Sequence, residues 1–326
     1  MRAWQVQGAG EPAAVLHLVE RELPDPGPGE VRIRVTAAGL GLPDVFMCRG
    51  VYPLTPPLPF TSGQEATGVV TALGDGVERV AVGDRIMCVT SFIGGHGSFA
   101  EECLAAAEGA FPVPEGLSDA DAAGFWIPHL TGWIGLVDRG RIAAGEQLAV
   151  LGAAGGSGIA AVQLGHALDA RVIAVVGGEE KAEFCRGLGA DEIVDHRDGA
   201  VAPRLRELTD GRGVDLVYDP VGGAVAEDAA RALARHGRLL AVGFASGSWP
   251  SFATHDLVVT NRSLVGVFAG GYSRDELDQI HGQLAALVRA GRLRNAVTAQ
   301  VSFADLPSAL QRMADRGVVG KLVMVP

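Results

Sequence analysis

The sequence has no excess of basic residues and no long apolar run. Its 38 acidic and 27 basic residues give a formal net charge of -11 over 326 residues. This balance argues against general binding to nucleic acids or anionic membranes, which needs a basic surface. No uncharged apolar run reaches the length of about 18 residues that a membrane-spanning helix needs. The first residues, MRAWQVQGAG, lack the apolar core of a secretory signal. We therefore expect a cytoplasmic protein without membrane segments.

Cysteine is also scarce. The four cysteines, Cys48, Cys88, Cys103 and Cys185, form no C-x-x-C pair. Their spacing fits neither a zinc ribbon nor a disulfide framework, so we expect free thiols in a reducing compartment. The chain also lacks the G-K-[ST] end of an ATP-binding P-loop and the G-x-S-x-G turn of many hydrolases. Two common classes of enzyme are therefore disfavoured.

The most informative feature present is a glycine-rich turn. An apolar run at Leu148–Leu151 leads into Gly152–Gly158, and a helical pattern follows from Ile159. A strand, a tight glycine turn and a helix together place a pyrophosphate on free amide groups at the helix N-terminus. The spacing G-x-x-G-x-x-G departs from the usual G-x-G-x-x-G. The flanking strand and helix nevertheless predict a dinucleotide site.

The patterns on either side of this turn predict two domains. Residues 1–123 read as mainly β, because Val31, Ile33 and Val35 alternate with polar residues and glycine and proline turns separate further short strands. Many short strands of this kind are typical of a partly open barrel. Residues 124–264 alternate between strand and helix, which predicts parallel βαβ units in a doubly wound sheet. Residues 265–326 are predicted to return to the first domain.

The second strand of the doubly wound domain bears on the choice of cofactor. It ends at Val176, and Gly177 and Gly178 follow where an NAD site usually places an acid for the ribose 2′-hydroxyl. Lys181 and His196 are candidates for contact with a 2′-phosphate, which favours NADP. The alternative is an NAD site in which Lys181 is a solvated helix residue and Glu179 binds the ribose.

The whole chain resembles the zinc-independent medium-chain dehydrogenase/reductases, in their NADPH:quinone oxidoreductase (zeta-crystallin-like) branch. The resemblance rests on motifs that occur in family order: Ala37–Asp44, Arg49–Pro53, Leu58–Glu65, Val82–Arg85, Thr131–Trp133, Gly152–Gly158, Val242–Phe244 and Gly320–Leu322. It implies an α/β fold in which a Rossmann domain (124–264) is inserted into a GroES-like, partly open β-barrel domain (1–123 and 265–326).

The resemblance also implies a set of site residues. Most would bind NADP(H): Thr131, Ala154, Gly155, Gly156, Ser157, Gly158, Gly178, Lys181, His196, Gly243, Phe244, Ala245, Phe268 and Lys321. Three would face the substrate: Leu42, Asp44 and Tyr52. Zinc-dependent relatives have a cysteine where this chain has Gly41 and a histidine where it has Gln64. A tetrahedral catalytic zinc would lack those ligands, so we expect no metal.

A hydride acceptor that needs no metal must be reactive itself. The predicted substrates are therefore quinones or α,β-unsaturated carbonyl compounds (enals and enones), with the cofactor supplying hydride. Tyr52 is the candidate hydrogen-bond donor to the carbonyl, and the alternative proton source is solvent.

Two other functions stay open. An enoyl-thioester reductase would need basic residues at its entrance, for which Arg49 and Arg262 are the only candidates nearby. A non-catalytic NADPH-binding protein would bind the cofactor without turnover. The predicted edge strand Ser263–Gly270 suggests a homodimer, because unpaired strand edges invite pairing.

Overall fold

The computed structural model describes residues 1–294 and 296–326. The chain separates into two compact units, Met1–Ile127 with Asn295–Pro326, and Pro128–Arg294. This division differs from the predicted one in placing 265–294 with the second unit. The contacts at the end of this segment give the physical reason. The Arg294 amide donates to Gln163 Oε1 at 2.9 Å, and Arg292 pairs with Asp169 at 2.8 Å, both inside that unit.

The first unit contains nine strands and four short helices among its described residues. In chain order these elements are β1 (Arg2–Val6), α1 (Pro12–Val15), β2 (Leu16–Glu20), β3 (Glu30–Gly39), α2 (Leu42–Cys48), β4 (Glu65–Leu73), β5 (Arg85–Val89), β6 (Glu102–Ala106), β7 (Ala110–Pro112), α3 (Asp119–Ala123), β14 (Val297–Ser302), α11 (Leu306–Ala314) and β15 (Lys321–Val325).

Seven of these strands form one mainly antiparallel sheet. The order is β14-β15-β3-β4-β5-β7, with β6 paired to β3, while β1 and β2 form a separate ribbon. In β3 the side chains of Val31, Ile33 and Val35 are buried, which confirms the alternation predicted from the sequence. The two C-terminal strands, β14 and β15, complete this sheet, so the chain returns to the first unit after residue 294 and not at the predicted residue 265.

The second unit begins within helix α4 and alternates strands with helices. Its elements are α4 (Trp126–Trp133), a π-helical turn (Ile134–Arg139), β8 (Gln147–Leu151), α5 (Gly156–Ala167), β9 (Arg171–Val176), α6 (Glu179–Gly187), β10 (Glu192–Asp195), α7 (Val201–Glu207), β11 (Val214–Asp219), α8 (Gly223–Arg231), β12 (Leu233–Ala241), α9 (Thr254–Thr260), β13 (Ser263–Gly266) and α10 (Arg274–Arg289).

The six strands of the second unit form a parallel sheet in the order β10-β9-β8-β11-β12-β13. By chain position this is 3-2-1-4-5-6, the order of a doubly wound dinucleotide-binding sheet. Strand order reverses between β8 and β11, and ligands bind such sheets at this switch point. The predicted Rossmann architecture is therefore confirmed.

The central strand β8 is buried along Leu148–Leu151, as its apolar run predicted. Helix α5 packs closely on it because small residues line the contact. A Cβ on Gly165 would lie 2.6 Å from Leu148 Cδ2 and 2.9 Å from Val172 Cγ2. Close packing at this position holds the last turn of α5 against the start of β8.

Candidate functional site

The predicted pyrophosphate turn has the geometry that such a site needs. Gly152 has φ +57°, a backbone conformation that glycine adopts without strain. Gly155 occupies the N-cap of α5, and among the described residues no side chain caps that terminus. The first amides of α5 therefore remain available to a phosphate. A Cβ on Gly158 would lie 2.3 Å from Gly152 O, so only glycine fits there.

A buried tyrosine supports this turn from the next strand. Tyr218 on β11 is fully buried, and its hydroxyl shares a 2.9 Å hydrogen bond with Ser157 Oγ. Burial raises the pKa of Tyr218, so the phenol stays protonated. The predicted site residue Ser157 is thus fixed by a contact that the sequence alone did not reveal.

A second glycine turn follows β11 and is organised by Asp219. Asp219 Oδ1 accepts from the amides of Val221 (2.9 Å) and Gly222 (2.7 Å). Its other oxygen is buried without a hydrogen-bond partner among the described residues. Burial raises the pKa of Asp219 to about 6, against the effect of the two amides.

The loop Gly243–Ala245, predicted to lie on the nicotinamide side, is hydrogen-bonded to this turn. The Gly243 amide donates to Asp219 O at 3.2 Å, and the Ala245 amide donates to Pro220 O at 3.1 Å. Phe244 packs on Trp249 with ring centroids 4.9 Å apart. Gly243, Phe244 and Ala245 therefore share one half-buried loop after β12.

The other predicted cofactor residues of the second unit are spread over several elements. Ala154 is buried in the glycine turn, and Thr131 is half-buried on α4. Phe268 follows β13 with 68% of its surface exposed. Phe268 can therefore contribute to a cofactor site only as a surface residue.

Two side chains, His196 and Arg197, lie against the glycines at the end of β9. A Cβ on Gly177 would lie 2.8 Å from His196 Nε2, and one on Gly178 would lie 2.9 Å from Arg197 Nη2. Both side chains therefore lie against the glycine pair. Arg197 is held by Asp195, whose carboxylate also accepts the Gly178 amide at 2.8 Å. The Arg197 guanidinium and these hydrogen bonds hold the pKa of Asp195 well below its usual range.

The alternative ribose ligand, Glu179, has another partner. Its carboxylate pairs with Arg186 Nη1 at 2.7 Å on the exposed side of α6. Lys181 lies one turn into the same helix and is half-buried. Two cationic side chains, Arg197 and Lys181, thus lie near Gly178, together with the Asp195 carboxylate that pairs with Arg197.

One of the predicted substrate residues in the first unit, Asp44, is a buried carboxylate. Asp44 on α2 is 1% exposed. Its Oδ1 accepts from Ser62 Oγ (2.7 Å) and the Gly63 amide (3.1 Å), and its Oδ2 accepts from the Gly41 amide (2.9 Å). Burial raises the pKa of Asp44 to about 6, while its hydrogen bonds and the Lys321 charge act in the opposite direction.

Tyr52 and Gln64 lie beside this carboxylate. Burial and the Asp44 charge raise the pKa of the half-buried Tyr52, whereas the Gln64 side chain lowers it by hydrogen bonding. Tyr52 therefore keeps its proton at neutral pH. Leu42 begins α2 and is also half-buried, packed with Tyr52 against the same core. Leu42 and Tyr52 pack on the core of the first unit, which also contains Asp44, and their facing the substrate stays a prediction.

Lys321 lies in the first unit, in a buried ion pair. Its ammonium pairs with Glu65 Oε1, and their side chains are 7% and 4% exposed. Glu65 Oε2 also accepts the Ile127 amide at 3.1 Å. A Cβ on Gly39 would lie 2.5 Å from Glu65 Oε1, so β3 leaves room for the pair only with glycine. Lys321 thus neutralises Glu65.

The described residues contain no group of three or more His, Cys, Asp or Glu side chains placed to hold a metal ion. Cys48, Cys88, Cys103 and Cys185 are buried free thiols. Within 1–294 and 296–326, no helix has both the length and the apolarity to cross a membrane.

Sequence reasoning missed Arg197, Asp219 and Glu65. Arg197 directly follows His196, so its position after β10 was a usable signal. Asp219 ends a predicted strand and precedes two glycines, which is also visible in the sequence. The pairing of Glu65 with Lys321 had no local signal, because the two residues are 256 positions apart.

Comparison with known proteins places this geometry in a class. Residues 27–115 match the family model described as an alcohol dehydrogenase GroES-like domain, and residues 156–286 match the one described as a zinc-binding dehydrogenase. The two models together define a two-domain dehydrogenase.

Individual relatives identify the subgroup of dehydrogenases to which the chain is similar. The chain is 35% identical to quinone oxidoreductase-like protein 2 of Mus musculus, over 84% of this chain and 80% of that protein. A mycobacterial structure complexed with NADPH is 31% identical, with a TM-score of 0.93 and full coverage of both chains. The Escherichia coli quinone oxidoreductase complexed with NADPH is 27% identical, with a TM-score of 0.91 and full coverage of both chains. The chain belongs to the quinone oxidoreductase-like medium-chain dehydrogenase/reductases.

Proposed function

We propose that this protein uses NADPH to reduce quinones or α,β-unsaturated carbonyl compounds, by hydride transfer without catalytic zinc. The observation that carries the proposal is the set of side chains around Asp44. Gly41 has no side chain and Gln64 has an amide at the two positions where zinc-dependent relatives have ligands. Neither residue is a zinc ligand, and a hydrogen bond from the Tyr52 phenol suits an acceptor that is already conjugated.

The cofactor assignment rests on the fit of the second unit. The uncapped N-terminus of α5 offers amides to a pyrophosphate, and Arg197 with His196 flanks the glycine pair at the end of β9. NADPH-bound relatives of the same fold support this choice. When bound, NADPH supplies a hydride from its nicotinamide ring.

The residues of the chain supply binding and proton control. Ser157, fixed by Tyr218, lies in the pyrophosphate turn. Arg197 and Lys181 bind the 2′-phosphate of NADPH by charge-assisted hydrogen bonds. Tyr52 holds a proton on its phenolic oxygen at neutral pH. Gly243, Phe244 and Ala245 form the loop on the nicotinamide side.

The test is a panel of quinones, enals, enones and enoyl thioesters, assayed with NADPH and with NADH. We expect turnover of quinones or enones with preference for NADPH. Turnover of enoyl thioesters alone would replace this function with the enoyl-thioester reductase. Cofactor binding without turnover of any acceptor would leave a binding protein.

We also propose a homodimer that pairs through β13. This strand lies at the edge of the second unit's sheet, where its backbone can pair with another copy. Nearby apolar side chains are exposed, with Leu264 at 45%, Phe268 at 68% and Val258 at 74%. Light scattering at micromolar concentration tests this, and a monomer would contradict it.

A further inference from the structure

The turn that follows β11, called here the β11 turn (residues 219–223), lies against the pyrophosphate turn. Strand β11 pairs with β8 at the point where the strand order reverses. A Cβ on Gly152 would lie 2.9 Å from Val221 Cγ2, so the Val221 side chain lies directly beside the first glycine of the pyrophosphate turn. The β11 turn therefore belongs to the crevice in which doubly wound sheets bind their ligands.

The β11 turn also holds the loop that follows β12, called here the β12 loop (residues 243–248). The Val221 carbonyl accepts the Ser246 amide at 2.8 Å. A Cβ on Gly222 would lie 2.3 Å from Ser248 O, so the loop lies on the turn at a distance that only glycine allows. The position of the β12 loop therefore depends on the shape of the β11 turn.

One carboxylate oxygen fixes that shape. Asp219 is 0% exposed, and its Oδ1 accepts the amides of Val221 at 2.9 Å and Gly222 at 2.7 Å. These are the same two residues that contact the pyrophosphate turn and the β12 loop. Without this oxygen both amides would lose their acceptor, and the turn would lose the hydrogen bonds that hold it in one conformation.

We propose that Asp219 is a positioning residue for the nicotinamide half of NADPH. Its Oδ1 holds the β11 turn, and the turn holds the β12 loop where the nicotinamide ribose binds. This inference rests on the proposed function, which places Gly243–Ala245 on the nicotinamide side. A loop that is already held in its binding conformation costs less free energy to order when the ligand binds. An amide oxygen at position 219 should serve as well, because the turn needs an acceptor and not a charge.

The first test compares Asp219→Ala with Asp219→Asn by titration with two ligands. One is NADPH, and the other is adenosine 2′,5′-bisphosphate, which keeps the adenosine half of NADPH and lacks the nicotinamide half. We expect Asp219→Ala to weaken NADPH binding about tenfold and bisphosphate binding less than about twofold. Asp219→Asn should bind both ligands as wild type does. Equal weakening for the two ligands, or an asparagine variant as weak as the alanine variant, would overturn the proposal.

Asp228 offers a matched control in the same unit. Its Oδ2 also accepts two backbone amides, from Val201 at 2.7 Å and Ala202 at 3.1 Å, but these amides begin helix α7. Asp228→Ala should therefore lower the free energy of unfolding and leave both ligand affinities within about twofold. If it weakened NADPH binding as much as Asp219→Ala does, lost stability would explain the effect and the positioning role would be rejected.

A second variant moves the β12 loop while leaving the carboxylate in place. The Cβ that Gly222→Ala adds would lie 2.3 Å from Ser248 O and 3.3 Å from Phe244 Cα, so the loop must shift. We expect the same selective loss of NADPH affinity, which keeps the proposal testable if Asp219→Ala does not fold. Wild-type NADPH affinity in folded Gly222→Ala would contradict it.

These binding measurements need no turnover, so they separate the positioning role from the proposed function. If no acceptor is reduced but the loss of affinity is selective for NADPH, the proposed function fails and the positioning role stands. If acceptors are reduced and Asp219→Ala binds NADPH as wild type does, the proposed function stands and the positioning role fails.

Discussion

The pyrophosphate turn and the polar cluster around Asp44 are built in different ways. The turn is seven consecutive residues, Gly152–Gly158, and it uses backbone amides at one helix terminus. The cluster gathers side chains from separate segments, among them Tyr52 and Gln64, with the Glu65–Lys321 pair closing it from the last strand. The turn therefore works only if no side chain fills the space beside its amides. The cluster works only if polar side chains from separate segments come together.

The largest expected effect comes from filling the turn. Gly158→Ala adds a Cβ 2.3 Å from Gly152 O and 2.7 Å from Ala153 Cα, both backbone atoms that cannot move aside. We expect a hundredfold or greater loss of NADPH affinity, on the order of 3 kcal/mol, measured by NADPH fluorescence.

The control for this variant is Gly187→Ala. At Gly187 on α6 a Cβ would meet no described atom within 4 Å. This variant should bind NADPH normally and gain about 0.5–1 kcal/mol of stability from helix propensity. If Gly158→Ala bound NADPH with wild-type affinity, the pyrophosphate turn would tolerate a side chain and would not differ from the Asp44 cluster in this respect.

The contrast explains what the sequence could predict. The turn, its strand and its helix were recognisable because consecutive residues carry the whole signal. The doubly wound strand order followed from the same alternation. The Glu65–Lys321 pair was not predictable, because it depends on two residues 256 positions apart folding together.

The next largest effect is expected on the preference for NADPH over NADH, measured by their Michaelis constants. Arg197→Ala removes a guanidinium that lies against Gly178. Hydrogen bonds to charged groups contribute about 1.5–3 kcal/mol, so the KM for NADPH should rise about tenfold to hundredfold. The KM for NADH should change less than about twofold, and Lys181→Ala should act in the same direction.

A matched arginine tests the specificity of this result. Arg204 lies exposed on α7 and pairs with Glu207 in the same unit. Arg204→Ala should change neither Michaelis constant. An equal loss for NADPH and NADH in Arg197→Ala would remove that residue from 2′-phosphate recognition.

A smaller effect is expected at the turn after β11. Asp219 has a pKa raised from 3.8 to about 6, so the folded state holds its proton more tightly than the unfolded chain does. Stability from this group is present below pH 4 and is lost as pH rises through about 6. Asp219→Asn keeps the acceptor for Val221 and Gly222 but cannot ionise. It should raise the free energy of unfolding by about 1–3 kcal/mol at pH 8.

The same variant should have little effect at pH 4, where the wild-type carboxyl is largely protonated. Urea unfolding at the two pH values measures the difference. A stabilisation that is equal at pH 4 and pH 8 would show that the charge of Asp219 is not its cause.

The smallest expected effect is on dimer affinity, and it is tested at one exposed leucine in each unit. Leu264→Lys on β13 places a charge on the proposed dimer edge, and we expect dimer affinity to fall about tenfold, or about 1.4 kcal/mol. Leu18 on β2 is 49% exposed in the first unit, and Leu18→Lys should leave the dimer intact. Sedimentation velocity distinguishes the two, and equal weakening by both variants would argue against the β13 edge.

The central claim is hydride transfer to a conjugated carbonyl compound without catalytic zinc. The most direct measurement uses enzyme treated with a chelator and checked by elemental analysis, supplied with NADPH deuterated at the transferred position and an enone. We predict full activity and one deuterium on the β-carbon of the product. Activity that disappears with the metal and returns on adding one zinc per chain would contradict the account.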